Sequence, residues 1–192
     1  MVLMPSVIEE SGRGLKSFNL VDKLFDENII ILENEINDDL ATAIKTQLLY
    51  LDSKEECKEI DIYISSGGGS VLAGNGIIDV IQHINTPVNT VCTGMIASMG
   101  TQIFASATGA RRIMPRSRIM IHSVASSAAG KIQNLRIEME ETEYLQEQLM
   151  NDLADFTKGK TSYEEICKLT ERDNWLSAQE AIEIGIGDEI VK

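Results

Sequence analysis

The segment VNTVCTGMIASMG, residues 88–100, sets an apolar strand directly before a helix. Residues 88–93 are rich in β-branched side chains, which predicts a buried strand, and 97–107 predict the helix that follows. The same order recurs upstream, where strands predicted at 28–32 and 60–65 each precede apolar positions at helical spacing. Alternating strands and helices predict an α/β fold whose strands run largely parallel.

Ser98 lies at the predicted turn from strand to helix, among small residues. A serine at this turn can expose its hydroxyl as a nucleophile, and backbone N–H groups at the helix start can stabilise an oxyanion. Serine also caps many helices, so a structural N-cap is the alternative interpretation. The segment alone does not decide between them.

A serine nucleophile needs a base, and the chain has two histidines, His83 and His122. His122 ends the strand-like run 119–121, from which a ring can reach a cleft at the sheet edge. His83 instead ends an amphipathic helical pattern, where we expect a solvated ring. A hydrogen-bonded structural imidazole remains the alternative for His122.

The loop SSGGGS, residues 65–70, joins the strand at 60–64 to a helix at 71–84. Consecutive glycines let backbone N–H groups approach a ligand without an intervening Cβ. The spacings of phosphate-binding and dinucleotide-binding loops are missing, so the sequence does not predict a nucleotide site. An oxyanion donor and a plain turn both remain open for this loop.

Five segments together resemble the proteolytic subunit of the Clp protease, the ClpP family of serine peptidases. They are the opening segment 7–14, the glycine-rich loop and helix at 66–74, the nucleophile motif 97–100, the base segment 120–122 and the acid segment 171–181. They occur in the family's order along nearly the whole chain. The resemblance implies a ClpP/crotonase-like spiral of β-β-α units with a projecting handle helix.

The resemblance also implies the roles of single residues. Ser98 would be the nucleophile, His122 the general base and Asp173 the acid that orients the imidazole. Asp173 rests on the resemblance alone, because the chain contains 30 acidic residues. The implied oxyanion hole uses backbone N–H groups of Gly69 and Met99, with Gly68 as a neighbouring donor.

Two features depart from the family pattern. Gly67 stands where the family usually has proline, which predicts a looser loop beside the oxyanion hole. After His122 the family typically shows Gln-Pro and a glycine pair, followed by the strand that binds substrate and touches the opposite ring. The segment Ser123–Gly130 reads SVASSAAG instead, which makes substrate preference and ring contact less defined than the triad.

One long amphipathic helix is predicted from residue 131 to about 156. Some 25 residues span about 38 Å, longer than a domain of this size needs, so part of the helix is expected to project. The chain length predicts a single domain over 1–192. The resemblance implies a gate segment at about 1–20 and a handle at about 123–158. In the family, handles join two heptameric rings into a double-ring tetradecamer, on which an ATP-driven AAA+ unfoldase docks.

The composition fits a single core with an acidic surface. The chain has 192 residues, 43% of them hydrophobic, and a net charge of −13. That charge disfavours nucleic acid and anionic membranes as partners, and neither a signal peptide nor an apolar run of about 20 residues is evident. Cys57, Cys92 and Cys167 are widely spaced, which predicts no disulfide framework and no zinc site, and we expect Cys92 in the core. The sequence therefore predicts a cytoplasmic protein without a metal or cofactor.

The predicted function is a serine endopeptidase that hydrolyses polypeptides through an acyl-enzyme on Ser98. Small peptides are expected to enter unaided, whereas folded proteins need the unfoldase. Two alternatives stay open: a crotonase-type enzyme acting on acyl-thioesters without a serine nucleophile, and a weakly active or structural paralogous ring subunit.

Overall fold

The computed structural model describes residues 6–11, 14–127 and 129–191. An N-terminal hairpin pairs β1 (Ser6–Ser11) with β2 (Gly14–Asn19) in antiparallel register. It covers much of the predicted gate segment 1–20, whereas residues 1–5 and Gly12–Arg13 lie outside the described residues. The short helix α1 (Leu20–Asp26) follows, and the side chain of Asn19 caps it by accepting from the N–H of Val21.

The central part of the chain alternates strands and helices, as predicted. In order they are β3 (Ile29–Glu33), α2 (Asp38–Asp52), β4 (Ile60–Ser66), α3 (Val71–His83), β5 (Val88–Ala97), α4 (Met99–Ala105), β6 (Arg111–Ile113) and β7 (Arg118–Ile121). The strands lie in the order β3-β4-β5-β6, all parallel. This confirms the α/β class and the largely parallel sheet.

The remaining elements complete the sheet from the last third of the chain. They are α5 (Ile132–Phe156), α6 (Tyr163–Thr170), β8 (Asn174–Ser177), α7 (Ala178–Glu183) and β9 (Glu189–Ile190). Strand β9 pairs with β6 in parallel, and β8 pairs with β7 in antiparallel register. Strand β7 itself pairs in parallel with the far end of β5, beyond the residues that pair with β6.

Burial along the strands explains why the sheet forms. Strand β4 buries alternate residues, with Ile60, Ile62 and Ile64 inaccessible to solvent, as expected for a strand with one face on the core. Strand β5 is buried continuously from Val88 to Cys92, which matches its central position. Buried residues of α2 and α3, among them Ile44, Leu48 and Ile77, pack in the same core.

Strand β5 runs four residues further than the predicted 88–93, and its end positions the site. The register of β4 against β5 jumps between Ile64–Cys92 and Ser66–Ile96. Gly94 adopts a left-handed φ of 66° within this bulge, a conformation that glycine takes at little cost. Pairing can therefore resume at Ile96, and helix α4 begins at Met99 rather than Ala97.

The long helix α5 has two parts with different surroundings. Leu149, Met150 and Leu153 are buried, whereas the first part, residues 132–147, is exposed except for the half-buried Leu135, Thr142, Leu145 and Gln146. Exposed apolar side chains in the first part are Ile132, Ile137, Met139 and Tyr144. Most of the first part of α5 is therefore not covered by the other residues that the structure describes.

Candidate active site

The sheet brings the three predicted triad residues to one edge. Ala97 pairs with Met120 in the parallel β5–β7 ladder, and Ile121 pairs with Asn174 in the antiparallel β7–β8 ladder. Ser98, His122 and Asp173 are each one position beyond these last pairs. The register therefore places the serine, the histidine and the acid at three adjacent strand ends.

His122 and Asp173 are in direct contact. Asp173 Oδ1 lies 3.3 Å from His122 Nδ1, and the side chains are 67% and 21% exposed, respectively. Charge-assisted N–H···O contacts are typically about 2.7–2.9 Å, so this one is long. In the isolated chain the carboxylate orients the ring from a largely solvated position.

Ser98 stands at the N-cap position of α4 but does not act as its cap. Its side chain makes no capping hydrogen bond. Its backbone N–H instead donates to the Met120 carbonyl at 3.1 Å, and its carbonyl accepts from the N–H of Thr101 at 2.9 Å. The capping alternative therefore does not describe this serine.

The backbone of Ser98 is strained. Its φ of 54° and ψ of −126° are far from the regions that a residue with a Cβ prefers. Such outliers concentrate at functional sites, and a sharp strand-to-helix turn that presents a hydroxyl is the geometry of a nucleophile elbow. The side chain is half-buried, at the mouth of a pocket rather than in the core.

The glycine loop is fixed against two neighbouring segments. Ile36 donates its N–H to the Gly68 carbonyl at 2.9 Å and accepts from the N–H of Ser70 at 2.8 Å. A Cβ on Gly69 would meet the Ile36 carbonyl oxygen, and a Cβ on Gly68 would lie 2.7 Å from Ser98 Cβ. Glycine at both positions thus allows the loop to contact the serine.

The three predicted oxyanion donors differ in what they already bind. Ile36 pairs with the groups flanking Gly69 and not with the N–H of Gly69, and Met99 is the first residue of a helix, where the N–H lacks an intrahelical acceptor. Gly68 differs from the prediction because its N–H donates to Ser66 Oγ at 3.2 Å. The arrangement supports Gly69 and Met99 as donors and gives Gly68 a steric role.

Ser98 and His122 line one pocket of about 120 Å³. The glycine loop and α4 contribute Gly69 and Met99, and most other lining side chains are apolar. These are Val71, Ile121, Val124, Ala125, Leu149, Met150 and Leu153, with Thr101, Gln102 and Ser123 as the polar members. The pocket can hold one side chain beside the candidate nucleophile.

A family model described as Clp protease matches residues 12–192, which is nearly the whole chain. The chain belongs to the Clp protease family. The mixed α/β architecture with a mostly parallel sheet is consistent with the fold of that family. Membership supports a peptidase core, and the assembly of Clp protease subunits into rings is a property known for the family.

The segment after His122 is where this Clp protease family member departs most from the predicted pattern. The described residues 122–127 and 129–131 form no strand. The N–H of Ser123 donates to the Thr170 carbonyl at 2.8 Å, and the N–H of Val124 donates to Gln146 Oε1 at 2.5 Å. These bonds fix the start of the segment against α5 and α6 rather than in the sheet.

The other residues singled out in the sequence lie where they were expected. His83 is the exposed last residue of α3, as predicted for a helix C-terminus. Cys92 is buried in β5, as predicted, and burial raises the pKa of its thiol to about 11. In the part of the chain that the structure describes, no helix is both long enough and apolar enough to cross a bilayer.

The sequence did not single out the residues that shape the pocket. Leu149 and Leu153 lie in the buried core and also line the pocket, and Gln102 is a buried polar member of its lining. Gln102 lies in α4, four residues after Ser98, and both residues line the pocket. That spacing was the available signal.

Proposed function

We propose that this chain is a serine peptidase in which Ser98, His122 and Asp173 form the catalytic triad. The observation that carries the proposal is the strand register, which aligns the three residues and sets Asp173 Oδ1 3.3 Å from His122 Nδ1. A carboxylate at Nδ1 selects the tautomer with hydrogen on that nitrogen, which leaves Nε2 as the base.

In this mechanism Ser98 Oγ attacks the peptide carbonyl while His122 Nε2 accepts the hydroxyl proton. The N–H groups of Gly69 and Met99 stabilise the oxyanion, and one such donor typically contributes about 3–4 kcal/mol. His122 then protonates the leaving amine, which leaves an acyl-enzyme on Ser98. Water, activated by the same imidazole, hydrolyses the ester and restores the serine.

The pocket supports a polypeptide substrate. Its size of about 120 Å³ is below the 300–1,000 Å³ that is typical of sites enclosing a whole small molecule. One substrate side chain can fill it, with the backbone lying along the glycine loop. Together with the family assignment, this favours peptide hydrolysis over the acyl-thioester alternative.

We propose further that the chain works in the cytoplasm as an assembly of heptameric rings, stacked as a double ring and supplied by an AAA+ unfoldase. The exposed apolar residues on the first part of α5 support association, because Ile132, Ile137 and Met139 are each more than 60% exposed. Asp173 is largely exposed in the single chain, and a neighbouring subunit would cover it in such an assembly.

Two assays on the assembled protein test this proposal. A fluorophosphonate probe should label the wild-type chain and leave Ser98→Ala unlabelled, because only an activated serine reacts. Wild-type protein without an unfoldase should hydrolyse fluorogenic peptides, and Ser98→Ala should not. An intact ring that neither reacts nor hydrolyses peptides would reject the triad and favour the structural-subunit alternative.

A further inference from the structure

Among the described residues, Gln102 Oε1 is the one buried side-chain polar atom without a hydrogen-bond partner, and Gln102 lines the pocket. Its Nε2 donates to the Leu149 carbonyl at 3.2 Å, whereas its Oε1 is buried and has no hydrogen-bond partner in the described structure. The residue is 6% exposed. The neighbouring Thr101 differs, because its hydroxyl already donates to the Met120 carbonyl at 2.9 Å.

The orientation of the Gln102 amide is fixed by chemistry. A carbonyl can only accept, so Nε2 and not Oε1 must face Leu149. Oε1 is therefore the atom left without a partner, in a residue of a pocket whose lining is mostly apolar. An acceptor that loses water without gaining a donor is unfavourable, and an occupant that donates to it relieves this cost.

We infer that Gln102 determines specificity, its Oε1 accepting a hydrogen bond from the substrate side chain on the acyl side of the scissile bond. The inference rests on the proposed peptidase function. The favoured side chain has an apolar body, for the walls at Leu149, Met150 and Leu153, and one hydroxyl donor at its tip. Tyrosine has this form, and phenylalanine is its matched counterpart without the donor.

Charged side chains do not fit the same pocket. The lining residues include no aspartate or glutamate, so lysine or arginine would lose its hydration without gaining an ionic partner. A substrate carboxylate would place its negative charge beside the partial negative charge of Gln102 Oε1. An uncharged donor is the group that the pocket can satisfy.

The test compares two fluorogenic peptides that differ only in tyrosine or phenylalanine before the cleaved bond. For the wild-type assembly we expect kcat/KM to favour tyrosine by about tenfold, since a site with a buried hydrogen-bonding group discriminates against the analogue that leaves it unpaired. Gln102→Met, similar in length but without the amide, should bring the ratio close to one. Gln102→Leu provides a second variant if the methionine does not fold.

Thr101→Val is the matched control. It removes a polar group from the same helix and the same pocket, but that group already donates to Met120. Its tyrosine-to-phenylalanine ratio should stay at the wild-type value even if overall activity falls. Because the ratio is taken within one protein, differences in the amount of assembled enzyme cancel.

The outcomes separate this inference from the proposed function. If the wild type hydrolyses both peptides but does not favour tyrosine, or if Gln102→Met retains the preference, the role of Gln102 is overturned and the peptidase stands. If the wild type cleaves neither peptide and does not react with the fluorophosphonate, both are overturned.

Discussion

At the scale of single residues, Gly68 determines how closely the loop contacts Ser98. A Cβ at this position would lie 2.7 Å from Ser98 Cβ and 2.9 Å from the Ala97 carbonyl oxygen, and its φ is 95°. We expect Gly68→Ala to lose most peptidase activity and about 1–3 kcal/mol of stability, because the backbone conformation is strained for alanine and the serine must shift. Thermal unfolding and fluorophosphonate labelling would measure the two effects.

Gly67→Ala is the control for that prediction. A Cβ at Gly67 would meet nothing within 4 Å, and its φ lies outside the left-handed region. Activity and unfolding temperature should stay near wild type. An equal loss of activity and stability in Gly67→Ala and Gly68→Ala would mean that the loop itself, and not its contact with Ser98, sets activity.

The two histidines provide a second prediction. His122→Ala should abolish peptide hydrolysis, since His122 lies in the pocket with Ser98 and contacts Asp173. His83→Ala should leave activity near wild type because His83 is exposed at the end of α3. Triad members act as a unit, so Ser98→Ala with His122→Ala should be no worse than either change alone.

A folded, assembled His83→Ala protein as inactive as His122→Ala would contradict the choice of base. The kinetics should be measured on peptides short enough to enter without an unfoldase. Sedimentation of each variant confirms that the comparison is between equal assemblies.

The residues of the site differ in how far sequence could predict them. The place of Ser98 between a strand and a helix, and the presence of only two histidines, made Ser98 and His122 candidates. The capping and structural alternatives stayed open until the resemblance was considered. Asp173 is one of 30 acidic residues, and only the resemblance selected it. Its proximity to His122 depends on the β7–β8 register, a long-range pairing that local patterns do not contain.

At the scale of elements, the first part of α5 carries a strong negative charge. Glu138, Glu140, Glu141, Glu143 and Glu147 are exposed, and between 131 and 147 the cations are Lys131 and Arg136. If two such helices pack together in a double ring, their like charges repel. Screening lengths of about 30 Å at 0.01 M and 8 Å at 0.15 M ionic strength mean that salt weakens this repulsion.

We therefore expect the double-ring fraction and the peptidase activity to rise between low and moderate salt. Glu140→Gln combined with Glu143→Gln should flatten the response. Sedimentation velocity across a salt series measures it. A double ring that is equally populated at every ionic strength, or that dissociates as salt rises, would contradict the repulsion.

The elements also differ in how well sequence predicted them. Strands β3 to β5 and helix α5 are long enough for apolar periodicity to be clear. Strands β8 and β9 have four and two residues, too few for a period to show. Helices α6 and α7 did carry a signal that was missed, because Ser162 with Glu165 and Ser177 with Glu180 form capping boxes at their starts.

At the scale of the whole molecule, an ion pair made by a buried arginine joins separate parts of the fold. Arg111 on β6 is 2% exposed and contacts Asp188, which precedes β9, through Nη2 and Oδ1 at 2.6 Å. Arg111 Nη1 also donates to the Phe156 carbonyl at the end of α5. Burial alone would raise the pKa of Asp188, but the hydrogen bonds and charge of Arg111 lower it to about 2.

This pair predicts a specific loss of stability in acid. A carboxyl whose pKa is lowered on folding stabilises the native state above its unfolded pKa of about 3.9, and that contribution disappears as the pH falls from about 4 to 2. Asp188→Asn should remove this part of the pH dependence. At neutral pH Asp188→Asn should lower the free energy of unfolding by about 3 kcal/mol, because it leaves the buried Arg111 charge without its partner. The value is at the low end for such pairs because Asp188 is one-third exposed.

Glu189→Gln is the matched control, because Glu189 pairs with the half-buried Arg112 and is itself 59% exposed. Its effect should be below about 1 kcal/mol. Chemical denaturation at several pH values distinguishes the two variants. An Asp188→Asn protein that loses stability in acid as the wild type does would show that other carboxylates dominate the pH dependence of stability.

The order of the three strand ends along the chain has a consequence for synthesis. Translation produces Ser98 first, then His122, then the α5 residues of the pocket, and Asp173 last. Since the acid reaches the histidine only when β8 has paired with β7, an unfinished chain contains the serine without the groups that would activate it. If Ser98, His122 and Asp173 act as the proposed triad, the sheet topology delays activity until the polypeptide has folded through β8.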